Sequence, residues 1–323
     1  MQNMASRVVI LGTGGTIAGT ARRPGDNVGY EAARIGIADL LAAVPMLGRE
    51  GGAETLEAEQ LAQIDSKDMD FDVWRRMALR LESHLARDDV QAVVLTHGTD
   101  TLEETAYFLH RVVQPAKPVV LTAAMRPTTA LQADGPQNLL DAVTVARTAG
   151  ATGVLVVMAG AVHGALDVRK VHPYRLDAFS SGDAGVLAQV EEAALRRHRA
   201  WPAAGNDADR FRAADLPANP DRWPRVDIVT SHAGADGRIV TALRQAGVDG
   251  IVAACTGNGT LHRRLEAALL DAQAAGVRVV RSSRCLDGTV LGGEASGLVS
   301  AGALTPVKAR VALVLDLLRA RGA

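Results

Sequence analysis

Apolar runs alternate with amphipathic segments along the first part of the chain, from Arg7 to Val190. The short apolar runs predict four buried strands: Val8–Leu11, Val90–Leu95, Pro118–Leu121 and Gly153–Met158. The amphipathic segments between them predict four helices: Ile37–Ala43, Phe71–Ala86, Leu102–Val113 and Gln137–Thr148. This alternation is typical of an α/β domain with a mainly parallel sheet.

A smaller α/β pattern occupies the C-terminal part. Residues 191–224 are rich in charged residues and proline without a sustained period, which predicts a linker with some local helix. After this stretch we predict three strands and three helices: Val226–Val229, Gly250–Ala254, Val277–Val280, Arg238–Ala246, Leu261–Ala274 and Pro306–Leu318. The expected fold class is therefore α/β, with a larger N-terminal domain over residues 1–190 and a smaller C-terminal domain over residues 225–323.

Composition and charge narrow the class of partner. The chain has 323 residues, 48% of them hydrophobic, which suits about two domains of roughly 100 to 200 residues each. A formal net charge of -1 and an aromatic content of 3% argue against nucleic acid or an anionic membrane as a partner. The start of the chain lacks the apolar core of a signal peptide, and no run is long enough for a membrane span. Because Cys255 and Cys285 show no CxxC spacing, we expect a reduced, cytoplasmic protein. The near-neutral charge favours a small solute as its ligand.

Two threonine-containing motifs each follow a predicted strand. LGTGGTIAG covers Leu11–Gly19, and THGTDT covers Thr96–Thr101. The carboxyl ends of strands are where open α/β sheets bind ligands. A threonine hydroxyl is a poor nucleophile unless it has a base and anion-stabilising donors beside it. The motifs therefore indicate hydroxyl chemistry at the end of the sheet.

Each motif also has a plain structural explanation. The first departs from a dinucleotide-binding loop at Ile17 and lacks the lysine of a phosphate-binding loop, so a simple glycine-rich turn remains open. In the second, Asp100 and Glu103 have the spacing of a capping box, so Asp100 could serve only as a helix cap. His97, at the strand end, is expected to be a packed histidine rather than a base.

The other polar clusters point to no metal ion. Four aspartates precede the second predicted helix: Asp65, Asp68, Asp70 and Asp72. They lack the pattern of a calcium loop and predict a solvated helix start. His163 and His172 fall on a predicted loop, and neither HExxH nor GxSxG occurs. Lys170, judged by its neighbours alone, is a surface lysine.

Taken together, the two motifs resemble the signatures of the bacterial-type L-asparaginases, which include the glutaminase-asparaginases. The strings that carry the resemblance are TGGTIA at Thr13–Ala18 and THGTDTLEETA at Thr96–Ala106. Shorter matching strings follow in order along nearly the whole chain: Ala124–Pro127, Asp134–Leu139, Val154–Met158, Gly257–Gly259 and Arg281–Arg284. The resemblance implies a catalytic N-terminal domain that hydrolyses L-asparagine to L-aspartate and ammonia through a threonine acyl-enzyme, without a cofactor. Glutaminase side activity is compatible with it.

The same resemblance implies roles for individual residues. Thr16 matches the family's nucleophile, and Tyr30 matches the tyrosine that contacts and activates it. Thr99, Asp100 and Lys170 match a second catalytic group, in which Thr99 orients the attacking water or contributes to the oxyanion site.

Substrate binding is also implied by the resemblance. The main-chain amides of Gly15 and Thr99 would form the oxyanion hole, and Ser66 would hold the α-carboxylate of the substrate. Asp100 would pair with the α-ammonium. Lys67 stands where the family usually has Gln or Glu, so it opposes the α-ammonium unless it turns away or pairs with a neighbouring aspartate.

The resemblance further implies an assembly of subunits. Thr260 replaces the frequent Asn or Ser of the family, and Glu294 is the match for a late glutamate in a shortened loop. Both residues would reach the pocket of a neighbouring subunit, which implies an intimate dimer and commonly a homotetramer. The polar segment Ala18–Tyr30 is expected to close over the substrate as a lid.

Two other functions are compatible with these strings. The amidase subunit of a tRNA-dependent amidotransferase would need an added N-terminal module and a tRNA partner, whereas this chain has no basic surplus. A non-catalytic amino-acid-binding protein on the same fold is supported by Lys67 alone.

Overall fold

The computed structural model describes residues 6–23, 25–48, 55–203, 211–292 and 297–322. The chain forms two compact units, Met1–Leu216 and Pro217–Ala323. The division falls inside the stretch 191–224 that the sequence predicts as a linker. Within the described part of the chain, no helix is both long and apolar enough to cross a membrane.

A mixed, mostly parallel sheet forms the centre of the first unit. The strands described in this unit are β1 (Arg7–Gly14), β2 (Thr20–Ala21), β3 (Tyr30–Glu31), β4 (Thr55–Ile64), β5 (Val90–Thr96), β6 (Val119–Thr122), β7 (Val154–Met158), β8 (Ala161–Gly164), β9 (Arg169–Lys170), β10 (Phe179–Ser180), β11 (Ala188–Glu191) and β12 (Ala194–Arg197). Eight of them form one sheet in the order β12-β11-β8-β7-β6-β5-β1-β4. The strands from β7 to β4 are parallel, and β8, β11 and β12 add antiparallel pairs.

Four helices of the first unit connect and cover these strands: α1 (Ile37–Ala42), α2 (Phe71–Leu85), α3 (Leu102–Val112) and α4 (Gly135–Arg147). The Asp70 carboxylate accepts a hydrogen bond from the Val73 amide and so caps α2. Pro136 stands in the first turn of α4, where its fixed φ is tolerated. The central strands are buried on both faces, which is why they read as continuous apolar runs.

Some strands of the first unit were not predicted from the sequence. Strand β4 lies at one edge of the sheet and is half-exposed, so its sequence TLEAEQLAQI carries no apolar run. Strand β8 lies where a loop was predicted, and His163 on it is buried beside Ser181. The loop assignment of His163 is therefore wrong. Strand β12 lies within the predicted linker.

The second unit contains a four-stranded parallel sheet in the order β13-β14-β15-β16. Its described elements are β13 (Val226–Thr230), α5 (Arg238–Gln245), β14 (Gly250–Cys255), α6 (Arg263–Ala274), β15 (Arg278–Ser283), β16 (Val299–Ser300) and α7 (Pro306–Ala320). Residues of α5 and α6 pack with Ile251 and Ala253 of β14. Gly250 leaves room for Leu313 of α7, because an added Cβ would lie 2.8 Å from its Cδ2. The predicted α/β fold class is confirmed.

Candidate active site

The first threonine motif lies in a sharp turn at the end of β1. The register between β1 and β4 shifts between Gly12 and Gly14. Gly14 and Gly15 have φ values of 101° and 79°, in the left-handed region that favours glycine. A Cβ on Gly15 would collide with the backbone of Gly98. The glycines therefore allow the two motifs to touch, and a short 3-10 helix, Thr16–Ala18, follows directly.

The hydroxyls of Thr16 and Tyr30 form a direct hydrogen bond. Their oxygen atoms, Oγ1 and Oη, are 2.7 Å apart, and Thr16 is buried. Tyr30 lies on β3, which pairs with β2 in a small hairpin. This hairpin lies within the predicted lid segment, whose closure stays a prediction. The chain after Tyr30 returns to the turn, where the Ala33 amide donates to the Gly15 carbonyl at 3.0 Å.

The second motif carries a three-residue polar group. Lys170, on β9, donates from Nζ to Thr99 Oγ1 at 2.9 Å and to Asp100 Oδ1 at 2.7 Å. The Lys170 side chain is 19% exposed, so the surface-lysine interpretation is wrong. The cap of α3 is Thr101 rather than Asp100, and Asp100 instead directs its carboxylate to the lysine. The helix-cap explanation of Asp100 is therefore also wrong.

Ser66 lies directly against this group. Its Oγ accepts a hydrogen bond from the Asp100 amide at 3.2 Å, and its carbonyl accepts one from Thr101 Oγ1 at 2.8 Å. Ser66 is buried, and an added Cβ on Gly98 would collide with it. The short 3-10 helix Ser66–Asp68, which precedes α2, and the second motif are thus joined through one serine.

Lys67 forms ion pairs with its own neighbours. Its Nζ lies 3.1 Å from Asp65 Oδ2 and 2.9 Å from Asp68 Oδ2. Hydrogen bonds to Asp68 and then to Asp65 raise the pKa of Lys67. Because one ammonium stands between two carboxylates, the group keeps a net negative charge. The aspartates predicted as a solvated helix start therefore also balance the lysine.

His97 is fully buried behind the second motif. Its Nδ1 donates to the Gly98 carbonyl at 2.7 Å, and its Nε2 accepts from Thr105 Oγ1 at 3.0 Å. Burial lowers the pKa of His97 to about 4. A histidine that is neutral and bonded on both nitrogens is a packed residue, as the sequence predicts.

The two amides expected to form an oxyanion hole differ in their partners. The Gly15 amide donates to the Ile64 carbonyl at 2.9 Å, so the protein itself engages it, contrary to the expectation. The Thr99 amide donates to no acceptor among the residues that the structure describes. Thr99 thus offers both an unengaged amide and a hydroxyl at the end of β5.

Comparison with known proteins places this site in a family. The model "Asparaginase, N-terminal" matches residues 7–202, and the model "Glutaminase/Asparaginase C-terminal domain" matches residues 225–321. The chain belongs to the L-asparaginase and glutaminase-asparaginase family. It is therefore an enzyme, a hydrolase of this family.

Individual relatives of this family cover nearly the whole chain. Identity is 39% over 321 residues with L-asparaginase 2 of Escherichia coli, covering 96% of this chain and 88% of the relative. It is 36% over 283 residues with a glutaminase-asparaginase of Pseudomonas fluorescens, covering 86% and 75%. A crystal structure of a probable cytoplasmic L-asparaginase from Campylobacter jejuni superimposes with a TM-score of 0.90 at 39% identity, covering 97% of this chain and 95% of that one.

The remaining residues predicted from the asparaginase family lie in the second unit. Thr260 is exposed in a tight turn, where its Oγ1 lies 2.9 Å from Thr256 Oγ1. Asn258 braces this turn through two hydrogen bonds with the main chain of Leu291. Glu294 lies outside the described residues. Within the described ranges, no three His, Cys, Asp or Glu residues are grouped to hold a metal ion.

The loop that supports the Tyr30 hairpin contains none of the site residues predicted from the sequence. Thr128 donates to the Gly19 carbonyl from its amide at 3.0 Å and from Oγ1 at 2.8 Å. Thr129 Oγ1 accepts from the Ala21 amide at 2.9 Å. The string AMRP, which directly precedes these threonines and is part of the resemblance to the asparaginase family, was the signal in the sequence that could have drawn attention to this loop.

A partly buried aspartate holds the other end of that loop. The Asp134 carboxylate accepts hydrogen bonds from the amides of Met125 and Arg126, both at 2.9 Å. Burial raises the pKa of Asp134, while these hydrogen bonds act in the opposite direction. Asn138 of α4 also donates to this carboxylate, at 3.1 Å. The hairpin that carries Tyr30 is thus linked to a helix in the core.

Proposed function

We propose that this enzyme hydrolyses the side-chain amide of L-asparagine to L-aspartate and ammonia through an acyl-enzyme on Thr16. The observation that carries the proposal is the 2.7 Å hydrogen bond between Thr16 Oγ1 and Tyr30 Oη, in a chain of this family. Because the two hydroxyls are in direct contact, Tyr30 can take the proton of Thr16 as Thr16 attacks, which makes the threonine oxygen a better nucleophile.

In the first half of the reaction, Thr16 Oγ1 attacks the amide carbon while its proton passes to Tyr30 Oη, and Tyr30 gives up its own hydroxyl proton to the amide nitrogen in the same relay. The oxygen of the tetrahedral intermediate accepts a hydrogen bond from the unengaged Thr99 amide. Collapse then breaks the C–N bond, and the nitrogen, which carries the relayed proton, leaves as ammonia. Removal of one oxyanion donor typically lowers kcat by about 10² to 10³, so one amide is a substantial contribution.

In the second half, water attacks the acyl group, one water proton passes through Tyr30 to Thr16 Oγ1 as this oxygen leaves, and the other is released with the aspartate carboxylate. We assign Thr99 to the orientation of this water and Lys170 to the orientation of Thr99. The lysine ammonium donates to both Thr99 and Asp100, so the Thr99 hydroxyl hydrogen can point towards the water. Because its ammonium lies between Thr99 and Asp100, Lys170 serves as an electrostatic organiser.

The α-carboxylate and the α-ammonium of the substrate would be bound by two residues, Ser66 and Asp100, that are hydrogen-bonded to each other. Ser66 would bind the α-carboxylate, and Asp100 would pair with the α-ammonium. Lys67 is paired with Asp65 and Asp68, so the positive charge of the lysine is already balanced when the α-ammonium of the substrate binds. Glutamine is a candidate second substrate, because one methylene changes binding by only about 1 to 3 kcal/mol.

The decisive experiment measures ammonia release from L-asparagine and L-glutamine by wild type and by Thr16→Ala. We expect turnover by wild type and its loss in the variant. Thr144→Ala is the matched control and should retain activity, because the Thr144 hydroxyl donates to the Leu140 carbonyl of its own helix α4. Saturable asparagine binding without ammonia release would support an amino-acid-binding protein instead.

We also propose a homo-oligomer, a tetramer built from intimate dimers. The support is the family membership and the exposed turn that carries Thr260, which a neighbouring subunit would use. Light scattering coupled to chromatography of active protein measures the mass, and an active monomer would rule the proposal out.

A cytoplasmic location is proposed from the cysteines. Cys255 is buried, Cys285 is exposed, and both are free thiols. Unpaired cysteines are typical of a reducing compartment. Recovery of the enzyme in the periplasmic fraction of its host would contradict this location.

A further inference from the structure

One buried side chain joins the two threonine motifs directly. Thr13 Oγ1 donates a hydrogen bond to the Thr96 carbonyl at 2.8 Å, across the gap between β1 and β5. Both threonines are buried, with exposed fractions of 1% and 2%. The regular pairing of these strands ends at Gly12 and Thr96. The Thr13 hydroxyl therefore continues the connection one residue beyond the main-chain ladder.

The connection falls where the backbone leaves regular strand geometry. On the other side of β1, the register with β4 shifts between Gly12 and Gly14. There Gln60 Nε2 donates to the Gly12 carbonyl at 3.1 Å, and the Gly15 amide donates to Ile64. The turn before Thr16 is thus fixed to β4 by these two bonds and to β5 by Thr13.

We propose that Thr13 is a positioning residue, whose hydroxyl sets the separation between the Thr16 turn and the Thr99 turn. The inference rests on the proposed function, in which Thr16 attacks while the Thr99 amide receives the oxyanion. Thr96 is three residues before Thr99, and Thr13 is three residues before Thr16. A displacement of about 1 Å between reacting groups can cost on the order of 10² in rate, so a fixed link between the two turns matters for chemistry more than for substrate affinity.

The test compares Thr13→Val with Thr13→Ser. Valine keeps the branched shape and removes the hydroxyl, whereas serine keeps the hydroxyl. We expect Thr13→Val to lower kcat for asparagine by about tenfold while KM changes by less than about twofold, and we expect Thr13→Ser to recover most of the loss. Wild-type kcat in Thr13→Val would overturn the proposal.

Thr122→Val is the matched control. Thr122 is an equally buried threonine at the end of β6, and its Oγ1 bonds to the Val157 and Asn138 carbonyls instead of to either threonine motif. Both valine variants should lower the melting temperature, but Thr122→Val should keep kcat within about twofold of wild type. Equal loss of kcat in the two variants would show that general destabilisation, and not position, explains the result.

A readout that does not depend on turnover separates this inference from the proposed function. Hydrogen exchange measured by mass spectrometry on peptides covering residues 12–19 and 96–101 should be faster in Thr13→Val than in wild type, and restored in Thr13→Ser. If wild type releases no ammonia but the exchange pattern holds, the proposed function fails and the link remains. If Thr16→Ala abolishes turnover but exchange and kcat are unchanged in Thr13→Val, the link fails alone.

Discussion

At the scale of single residues, Tyr30 is the hydroxyl partner on which the proposed acylation depends. Tyr30→Phe keeps the ring on β3 and removes the group that receives the Thr16 proton. Because a positioned base contributes about 10² to 10⁴ in rate, we expect kcat to fall by at least about 10² with a small change in KM. Steady-state kinetics with asparagine measures both constants.

Tyr174→Phe is the control for Tyr30→Phe. Tyr174 is exposed, stacks on Arg126 at 3.9 Å, and accepts from it through its carbonyl. Phenylalanine retains the ring and the main chain, so activity should stay within about twofold of wild type. Similar losses in both variants would remove the special role of the Tyr30 hydroxyl.

His97 makes a second residue-scale prediction, on stability against pH. Burial lowers its pKa from 6.5 to about 4 in the folded protein. Between these values the unfolded chain binds a proton that the folded protein does not, so stability falls as pH decreases from 6.5 to 4 and is unaffected above 6.5. This pKa shift corresponds to a loss of about 3 kcal/mol in the free energy of unfolding at the acidic end of this pH range.

Urea unfolding at pH 7, 6, 5 and 4.5 measures this loss. His97→Gln should show a shallower dependence on pH than wild type, and His232→Gln, at an exposed site in the second unit, should match wild type. Should His97→Gln fail to fold, an NMR titration of the wild-type imidazole replaces it. A His97 ring that protonates near pH 6.5 would contradict the prediction.

At the scale of elements, helices and central strands were predictable, whereas edges and turns were not. Strands β5, β6 and β7 are buried on both faces, so their apolar runs identify them. Strand β4 shows one edge to solvent and carries Glu57, Glu59 and Gln60, so its composition hides it. The partner of the Gly15 amide could not be predicted either, because it is the carbonyl of Ile64 at the end of that unpredicted strand.

The first turn of α2 provides an element-scale prediction. Asp70 caps the helix by accepting from the Val73 amide at 2.8 Å, whereas Asp72 pairs with Arg76 on the surface. Loss of a cap costs about 1 kcal/mol, and an exposed pair contributes roughly 0.3 to 0.5 kcal/mol. Asp70→Ala should lower the melting temperature by roughly 2 to 4 °C, and Asp72→Ala by less, as measured by calorimetry. An equal or larger effect of Asp72→Ala would argue against the cap.

At the scale of the whole molecule, the proposed catalytic groups lie in one unit and the other unit has a hydrophobic core of its own. Thr16, Tyr30, Ser66, Asp100 and Lys170 all belong to the first unit. The second unit has a hydrophobic cluster of its own, contributed by β13, β14, β15, α5 and α6. The sequence predicted this division into a larger and a smaller α/β part, because strand and helix patterns recur on both sides of a polar stretch. The division, after Leu216, lies inside the polar stretch 191–224, which the sequence predicts as a linker with some local helix and in which the structure describes strand β12 and two short 3-10 helices, Ala213–Asp215 and Pro220–Arg222.

The independent core predicts that the second unit folds alone. A fragment of residues 217–323 keeps all four strands of the β13-β14-β15-β16 sheet and helices on both of its faces. We expect α/β circular dichroism and one cooperative thermal transition, without ammonia release. A fragment of residues 238–323 lacks β13, which pairs with β14 over five residues from Val226 to Thr230, and should lose the cooperative transition because one side of β14 is left unpaired. If the longer fragment melts without cooperativity, the second unit depends on the rest of the chain for its stability.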